Sequence, residues 1–310
     1  MSDQSLVSAV IPTYNRPNLV VNAVKTALNQ THRNMEVVIV VDGPDDSTSK
    51  ALGEISDPRI QIVALPRHQG ACGARNAGIQ AAKGEWVAFL DDDDEWLPRK
   101  IELQLATARR SAHRTPVVSC RFIARTPLAD YTWPIRFPSQ GEPISEYLFC
   151  RKGLFCGEAL IGTPMLFTKR ELLLQCPFQQ GLRKHQDSDW VIRAASRDGV
   201  GFEFEPDPLA ICLVDQTLPG ISNSDDWRSS LTWLEDVREY ITPRAYASFI
   251  LLHVAPQAAH VTKALEYWRL LELAIRCGEP EPLHVLLYVG MRLIPRHVRR
   301  ELRSLFGRRK

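Results

Sequence analysis

A chain of 310 residues has room for one large domain, or one domain with an appendage. Its 45% hydrophobic and 24% charged content is that of a folded globular protein, which excludes the disordered and collagen-like classes. The net charge of +2 is unevenly spread: residues 281–310 hold eight Lys/Arg against two acids, leaving a mildly acidic body and a strongly basic tail. No stretch reaches the ~20 apolar residues of a membrane span. The start, Met1-Ser-Asp-Gln-Ser, lacks the charged-then-apolar order of a signal peptide. Seven cysteines, an odd number without metal-ligand spacing, fit reduced thiols rather than a disulfide framework. Together these features lead us to expect a cytoplasmic protein.

In chain order, residues 6–11 are an apolar, β-rich run ending in Pro12-Thr13-Tyr14-Asn15-Arg16-Pro17, a buried strand and a turn. A helix is expected from Pro17 to about Asn29, Pro being suited to a first turn. Residues 37–41 read as a second buried strand ending at Asp42-Gly43, and residues 59–65 as a third. Gly70, Gly73 and Gly78 then lead a helix; they follow the third strand and lack Gly-x-Gly-x-x-Gly spacing, which argues against a dinucleotide-binding dehydrogenase. Residues 87–90 form a fourth apolar run that stops at Asp91-Asp92-Asp93-Asp94. Strands alternating with helices argue for a parallel α/β sheet. Further on, a helix is expected over 98–111 and a strand over 116–123, with an irregular aromatic stretch over 124–160. A strand-like 161–167, a helix over 169–175, a helix opened by residues 183–190 and running through 197, and two closing strands, 201–205 and 209–214, follow. From Asp225 onward the pattern is helical.

The acidic run has two readings. In an open parallel sheet ligands collect beyond the carboxyl ends of strands, and adjacent carboxylates repel unless a cation neutralises them. Mg²⁺ or Mn²⁺ prefers such oxygen ligands and shares them with substrate phosphates. The other reading is a solvated acidic turn capping the helix near Pro98.

Four segments decide between them by their order: Ala9-Val-Ile-Pro-Thr-Tyr-Asn-Arg16, Glu36-Val-Val-Ile-Val-Val-Asp-Gly43, Ala74-Arg-Asn-Ala-Gly78 and residues 84–94. Together they resemble glycosyltransferase family 2, inverting nucleotide-sugar-dependent enzymes on the GT-A fold. The resemblance is strong over about residues 6–110, fainter to about 215 and absent beyond. It implies a GT-A type α/β fold, with a Rossmann-like, mostly parallel sheet, helices on both faces and a helical C-terminal extension. The glycosyltransferase domain would occupy 1–220, with a nucleotide-sugar half of about 1–112 and an acceptor half of about 113–220. A helical region with a basic amphipathic tail would occupy 221–310.

The resemblance also implies roles. Pro12, Tyr14 and Arg16 would line the donor site, Tyr14 stacking on the base. Asp42 would accept from a uracil or thymine imide; Val41 stands where many members carry a further Asp, so only Asp42 is carried over. Arg75 would approach the diphosphate, Asp91 the ribose hydroxyls with Asp92 nearby, and Asp93 a divalent cation, Mn²⁺ or Mg²⁺. The cation would stabilise the departing nucleoside diphosphate, while Asp187 would act as base on the acceptor hydroxyl. Gln186 stands where the family has Glu, so a second carboxylate is missing there unless Asp189 supplies it. His185 is either a diphosphate or acceptor contact or a structural histidine. The processive members' Gln-x-x-Arg-Trp motif is absent from the sequence, which points to single-sugar transfer.

The expected partners are a UDP- or dTDP-sugar donor and a carbohydrate or lipid-linked acceptor of surface polysaccharide or glycolipid assembly. Nucleic acid is not expected, for want of a base-reading module. Residues 283–294 and the basic stretch after them read either as amphipathic helices on an anionic bilayer at the inner membrane face or as a packed helix with a solvated end. A nucleotidyltransferase on a related fold and a non-enzymatic cation- or partner-binding protein remain the alternative functions. The first would carry a Gly-rich basic loop where Pro12–Arg16 stands.

Overall fold

The computed structural model describes residues 5–127, 129–153, 157–214, 226–259 and 261–294. The chain divides into two compact units, one drawn from Met1–Trp133 and Ile161–Asp215, the other from Pro134–Leu160 and Gln216–Lys310. The expected boundary at 220 is thus not the division that packing makes. Residues 134–160 join the second unit through their packing there: the Phe149 ring lies 4.9 Å from Phe249, and the Thr242 hydroxyl donates to Glu146 at 2.9 Å.

In the first unit, strand β1 (Val7–Thr13) leads to helix α1 (Pro17–Leu28), β2 (Met35–Val41), α2 (Asp46–Gly53), β3 (Ile60–Ala64), α3 (Gly70–Ala81) and β4 (Trp86–Phe89). Each crossover carries a helix, and β3-β2-β1-β4 run parallel. Alternation along the strands sorts the helices to two faces. Val7, Ala9 and Ile11 of β1 join Val37 and Ile39 of β2 in one core with Val20, Val24 and Ala27 of α1. Val10 and Val40 point the other way, onto α3, where Gly78 lets the helix come close: a Cβ there would lie 2.4 Å from Val10 Cγ1 and 3.1 Å from Val40 Cγ2. Helices on both faces are therefore as expected.

The sheet continues through β5 (Glu95–Trp96), α4 (Lys100–Arg110), β6 (Thr115–Arg125) and β7 (Asp130–Trp133). After α5 (Ile144–Phe149) of the second unit come β8 (Phe167–Lys169), α6 (Arg170–Gln175), α7 (Gln186–Ala195) and β9 (Val200–Leu213). The strand order β3-β2-β1-β4-β8-β6-β9-β5, with β7 on β6, is mixed beyond β4, because β8 inserts antiparallel to both β4 and β6. This half departs from the mostly parallel sheet expected.

Two local expectations change. Residues 161–167 are mainly a 3-10 turn over Thr163–Met165, because Pro164 at its start has no N–H for a ladder while Met165 N–H donates back to Gly162. The two closing strands are one, β9. Its Pro206 falls where the pairing with β6 slips register, between Cys120↔Glu205 and Arg121↔Pro208, a place in a strand that tolerates proline.

The second unit adds α8 (Trp227–Asp236), α9 (Pro243–Phe249), a π-helical turn (Ile250–Val254), α10 (Ala255–Ala258), α11 (Ala264–Cys277) and α12 (Pro282–Leu293). An aromatic cluster fills its centre: the Phe249 ring lies 4.9 Å from Phe149 and 5.1 Å from Trp233. The basic residues 296–310 lie outside the described residues. Among the described residues six cysteines are free thiols, and no helix is long and apolar enough to cross a membrane.

Candidate active site

The carboxyl ends of β1, β2 and β4 meet at one edge of the sheet, as their parallel register requires. Buried Asp42 closes β2: its N–H donates to the Thr13 carbonyl at 2.9 Å, its carboxylate accepts from Gln69 N–H at 2.7 Å, and His68 Nδ1 lies 2.8 Å from that carboxylate and 3.3 Å from the Asp42 carbonyl. Tyr14, 44% exposed, stacks on the His68 ring with centroids 4.2 Å apart. Pro12 is buried in β1, paired with Val40. The turn after β1 is pinned by Asp45, which caps α2 through Thr48 N–H and accepts from the Asn15 N–H at 3.0 Å, holding Asn15 at φ 53°. An aromatic face beside a buried acceptor thus stands at the end of β2, with His68 as a member that the sequence reading had missed.

The acidic run is not a uniform solvated turn. Asp91 accepts from Arg75 Nη2 at 2.7 Å. Buried Asp92 accepts from the Thr13 hydroxyl at 2.8 Å and from Arg16 Nη1 at 2.9 Å. Burial raises its pKa, against those two donors. Arg16 also reaches Asp93 at 2.9 Å, so this arginine lies along the carboxylates. Asp94 is pushed well above the usual carboxylate range by burial and then by Asp91 and Asp93. Burial and mutual repulsion therefore both favour protonation within the run.

Does this arrangement suit a divalent cation? Among the described residues no group of three His, Cys, Asp or Glu is gathered into a cage. Asp93 is nevertheless 44% exposed on its side chain, with one oxygen on Arg16 and hard oxygen chemistry on offer. That donor set fits an ion held by one or two carboxylates and completed by substrate phosphates, as Mg²⁺ and Mn²⁺ usually are.

One buried guanidinium connects this edge to α7. Arg75, 5% exposed on α3, gives Nη2 to Asp91 and Nη1 to Gln186 Oε1 at 2.8 Å. Its Nε is buried without a hydrogen-bond partner. Burial opposes its charge, but Asp91 and Asp187 more than offset this, so it stays cationic. Gln186 in turn donates to the Leu182 carbonyl at 2.7 Å. The departure from Glu therefore leaves an amide that satisfies Arg75 without neutralising it.

Asp187 lies in the first turn of α7, where the helix dipole favours its charge. The Thr163 hydroxyl donates to it. Its pKa is raised, mainly by burial, while Arg75 and Thr163 pull it back. A carboxylate so placed is a stronger base than one in water, yet still ionisable. Asp189 does not stand in for the missing Glu: it is buried in an ion pair with Arg193 at 3.1 Å. His185 sits at φ 63° before α7, and burial lowers its pKa to about 4. It is neutral at physiological pH and brings no cation to a diphosphate. Thr163 was hidden from the sequence reading by the strand assignment, although Pro164 was a signal for a turn there.

The family model for glycosyl transferase family 2 matches residues 8–173. Over 249 residues the chain is 30% identical to the amylovoran biosynthesis glycosyltransferase AmsB of Erwinia amylovora, covering 76% of this chain and 79% of that protein. Over 104 residues it is 36% identical to WfgD of Escherichia coli, a UDP-Glc:alpha-D-GlcNAc-diphosphoundecaprenol beta-1,3-glucosyltransferase, covering 34% of this chain and 41% of WfgD. Among solved structures, the mannosyltransferase PcManGT from Pyrobaculum calidifontis, in complex with GDP-Man and Mn²⁺, matches with a TM-score of 0.56 at 18% identity. That match covers 97% of this chain and 87% of PcManGT, a likeness of fold.

Proposed function

The chain belongs to glycosyl transferase family 2, and on that premise we propose that it moves a single sugar, with inversion, from a UDP- or dTDP-sugar to an acceptor hydroxyl. The acceptor is carbohydrate or lipid-linked, in cell-surface polysaccharide or glycolipid assembly, at the inner face of a membrane. AmsB is named for polysaccharide biosynthesis and WfgD for a diphosphoundecaprenol-linked acceptor, which supports this class of product.

The observation that carries the reading is Arg75, buried and shared between the donor-side Asp91 and the Gln186 amide at the start of α7. In this reading Tyr14 stacks on the base and Asp42 accepts its imide N–H. Asp91 takes the ribose hydroxyls with Asp92 behind it, Pro12 and Arg16 border the donor, and Arg75 meets the diphosphate. Asp93 would hold Mn²⁺ or Mg²⁺; once bound, such an ion acts as a Lewis acid toward the departing diphosphate. Asp187, held by Thr163, removes the acceptor proton as the hydroxyl attacks the anomeric carbon from the face opposite the leaving group. Fixed in position by α7 and the Thr163 turn, it needs no reorganisation at the moment of attack.

The test is Asp187→Asn, assayed by nucleoside diphosphate release from a panel of UDP-, dTDP- and GDP-sugars with a polyprenyl-diphosphate-linked sugar acceptor. Turnover should fall about 10³-fold, the usual worth of a general base, with donor affinity retained. Full turnover in the variant would remove Asp187 from the mechanism.

A further inference from the structure

Helix α12 is built inside out. In its sequence, PLHVLLYVGMRL, the side chains with polar tips are His284, Tyr288 and Arg292, four apart and so on one line of the helix. That line faces the protein. His284 and Tyr288 have no exposed surface. Ser248 donates to His284 Nδ1 at 2.9 Å, and His284 Nε2 donates to the Arg151 carbonyl at 2.9 Å. The Tyr267 hydroxyl donates to the Tyr288 carbonyl at 2.9 Å, and the Tyr288 hydroxyl returns the bond to Tyr267. Arg292 lies over the Tyr267 ring, 5.5 Å from its centroid, and donates to the Ala259 carbonyl.

Part of the apolar remainder points outward, the rest being half-buried. None of the leucines, valines or the methionine of α12 is buried, and Leu286 and Leu293, seven apart on one face, are 69% and 70% exposed. Helix α11 extends this surface: Trp268 packs edge-on to Tyr288 at 5.8 Å while staying 41% exposed, and Leu265 and Ile275 on the same side are 67% and 58% exposed. A helix on a water-facing surface turns its polar side outward, so exposed apolar side chains gathered on these two helices, interrupted on α11 by the exposed Glu272–Arg276 ion pair, mark a surface that is covered in use.

The chemistry of the cover follows from the sequence that comes next. Residues 295–310 hold seven Lys/Arg and a single Glu. An anionic headgroup layer neutralises them while its acyl region receives Leu286 and Leu293. We propose that the outward face of α11 and α12 docks on an anionic lipid bilayer. The inference deepens the reading of a lipid-linked acceptor given above, since it supplies the surface by which the enzyme meets such a substrate, yet it rests on none of the residues of the transfer site.

The test uses the full chain without donor or acceptor, so its outcome is separate from that of the transfer assay. Flotation is measured with phosphatidylcholine vesicles, with and without phosphatidylglycerol, at low and high salt. The protein should float with the anionic vesicles, less so at high salt. Leu286→Glu/Leu293→Glu should cut the bound fraction about tenfold with an unchanged circular dichroism melt, both side chains being exposed already. The proposal is overturned by absence of binding to anionic vesicles, or by binding that the double variant leaves intact. It is equally overturned if light scattering finds a dimer that the double variant dissolves, since the face would then cover a second copy.

Discussion

Gly78 ties the packing of the sheet to the chemistry at its edge. Substituting alanine would place a methyl 2.4 Å from Val10 Cγ1 and 3.1 Å from Val40 Cγ2. Carbon atoms rest at about 3.5–4.0 Å, so one partner has to give by roughly 1 Å. Val10 is fully buried in a strand bonded on both sides, and its β-branched side chain has little rotamer freedom. Helix α3 is what moves. Overpacking of this kind costs about 1–3 kcal/mol. Arg75 lies one turn before Gly78, and its bonds to Asp91 and Gln186 span only 2.7 and 2.8 Å. A shift of about 1 Å there should lower turnover up to ~10²-fold. Urea denaturation and steady-state release of nucleoside diphosphate would read both effects. Adding Val10→Ala makes room for the methyl, so the double variant should be less destabilised than the sum of the singles by about 1–2 kcal/mol. If Gly78→Ala unfolds at the wild-type urea concentration and keeps its turnover, the close approach of α3 to β1 is not what positions Arg75.

Other outcomes follow from single groups. Thr163→Val removes a donor that lowers the pKa of Asp187. The acid limb of the pH–rate profile should therefore move to higher pH, with turnover above the limb retained. An unmoved limb would mean that Asp187 is not the titrating base. Lys100, fully buried, has its pKa lowered to about 8 from 10.5 by desolvation. The unfolded chain keeps this proton between those values and the folded one does not, so stability should rise by about 3 kcal/mol as pH rises through that window. Lys100→Met should flatten this rise in urea midpoints measured against pH. Asp93→Ala should abolish any Mn²⁺-dependent rise in melting temperature produced by UDP or dTDP, since ligand that binds only the native state stabilises it by mass action. A rise that survives the substitution would relocate the cation.

The sequence by itself determined the parallel half of the sheet and its edge. Apolar runs of strand length, helix-length crossovers and polar residues at each strand end call for a parallel sheet with Asp42 and the acidic run at its carboxyl edge, whereas the order β3-β2-β1-β4 came only with the structure. Asp187 was legible as the carboxylate opening a helix. Tertiary structure decided what each of these groups touches. That Arg75 links Asp91 to Gln186, 111 residues further on, that Thr163 holds Asp187 and that Asp189 is spent on Arg193 are consequences of packing between distant segments. Local pattern carries no signal for such pairs. The same holds for α12, where an apolar helix with three polar tips reads either as a buried helix or as a surface one. Only the position of Tyr267, Ser248 and the Arg151 carbonyl turns its polar line inward and leaves Leu286 and Leu293 facing out, because a buried donor or acceptor must be paired while an exposed apolar side chain can wait for a partner.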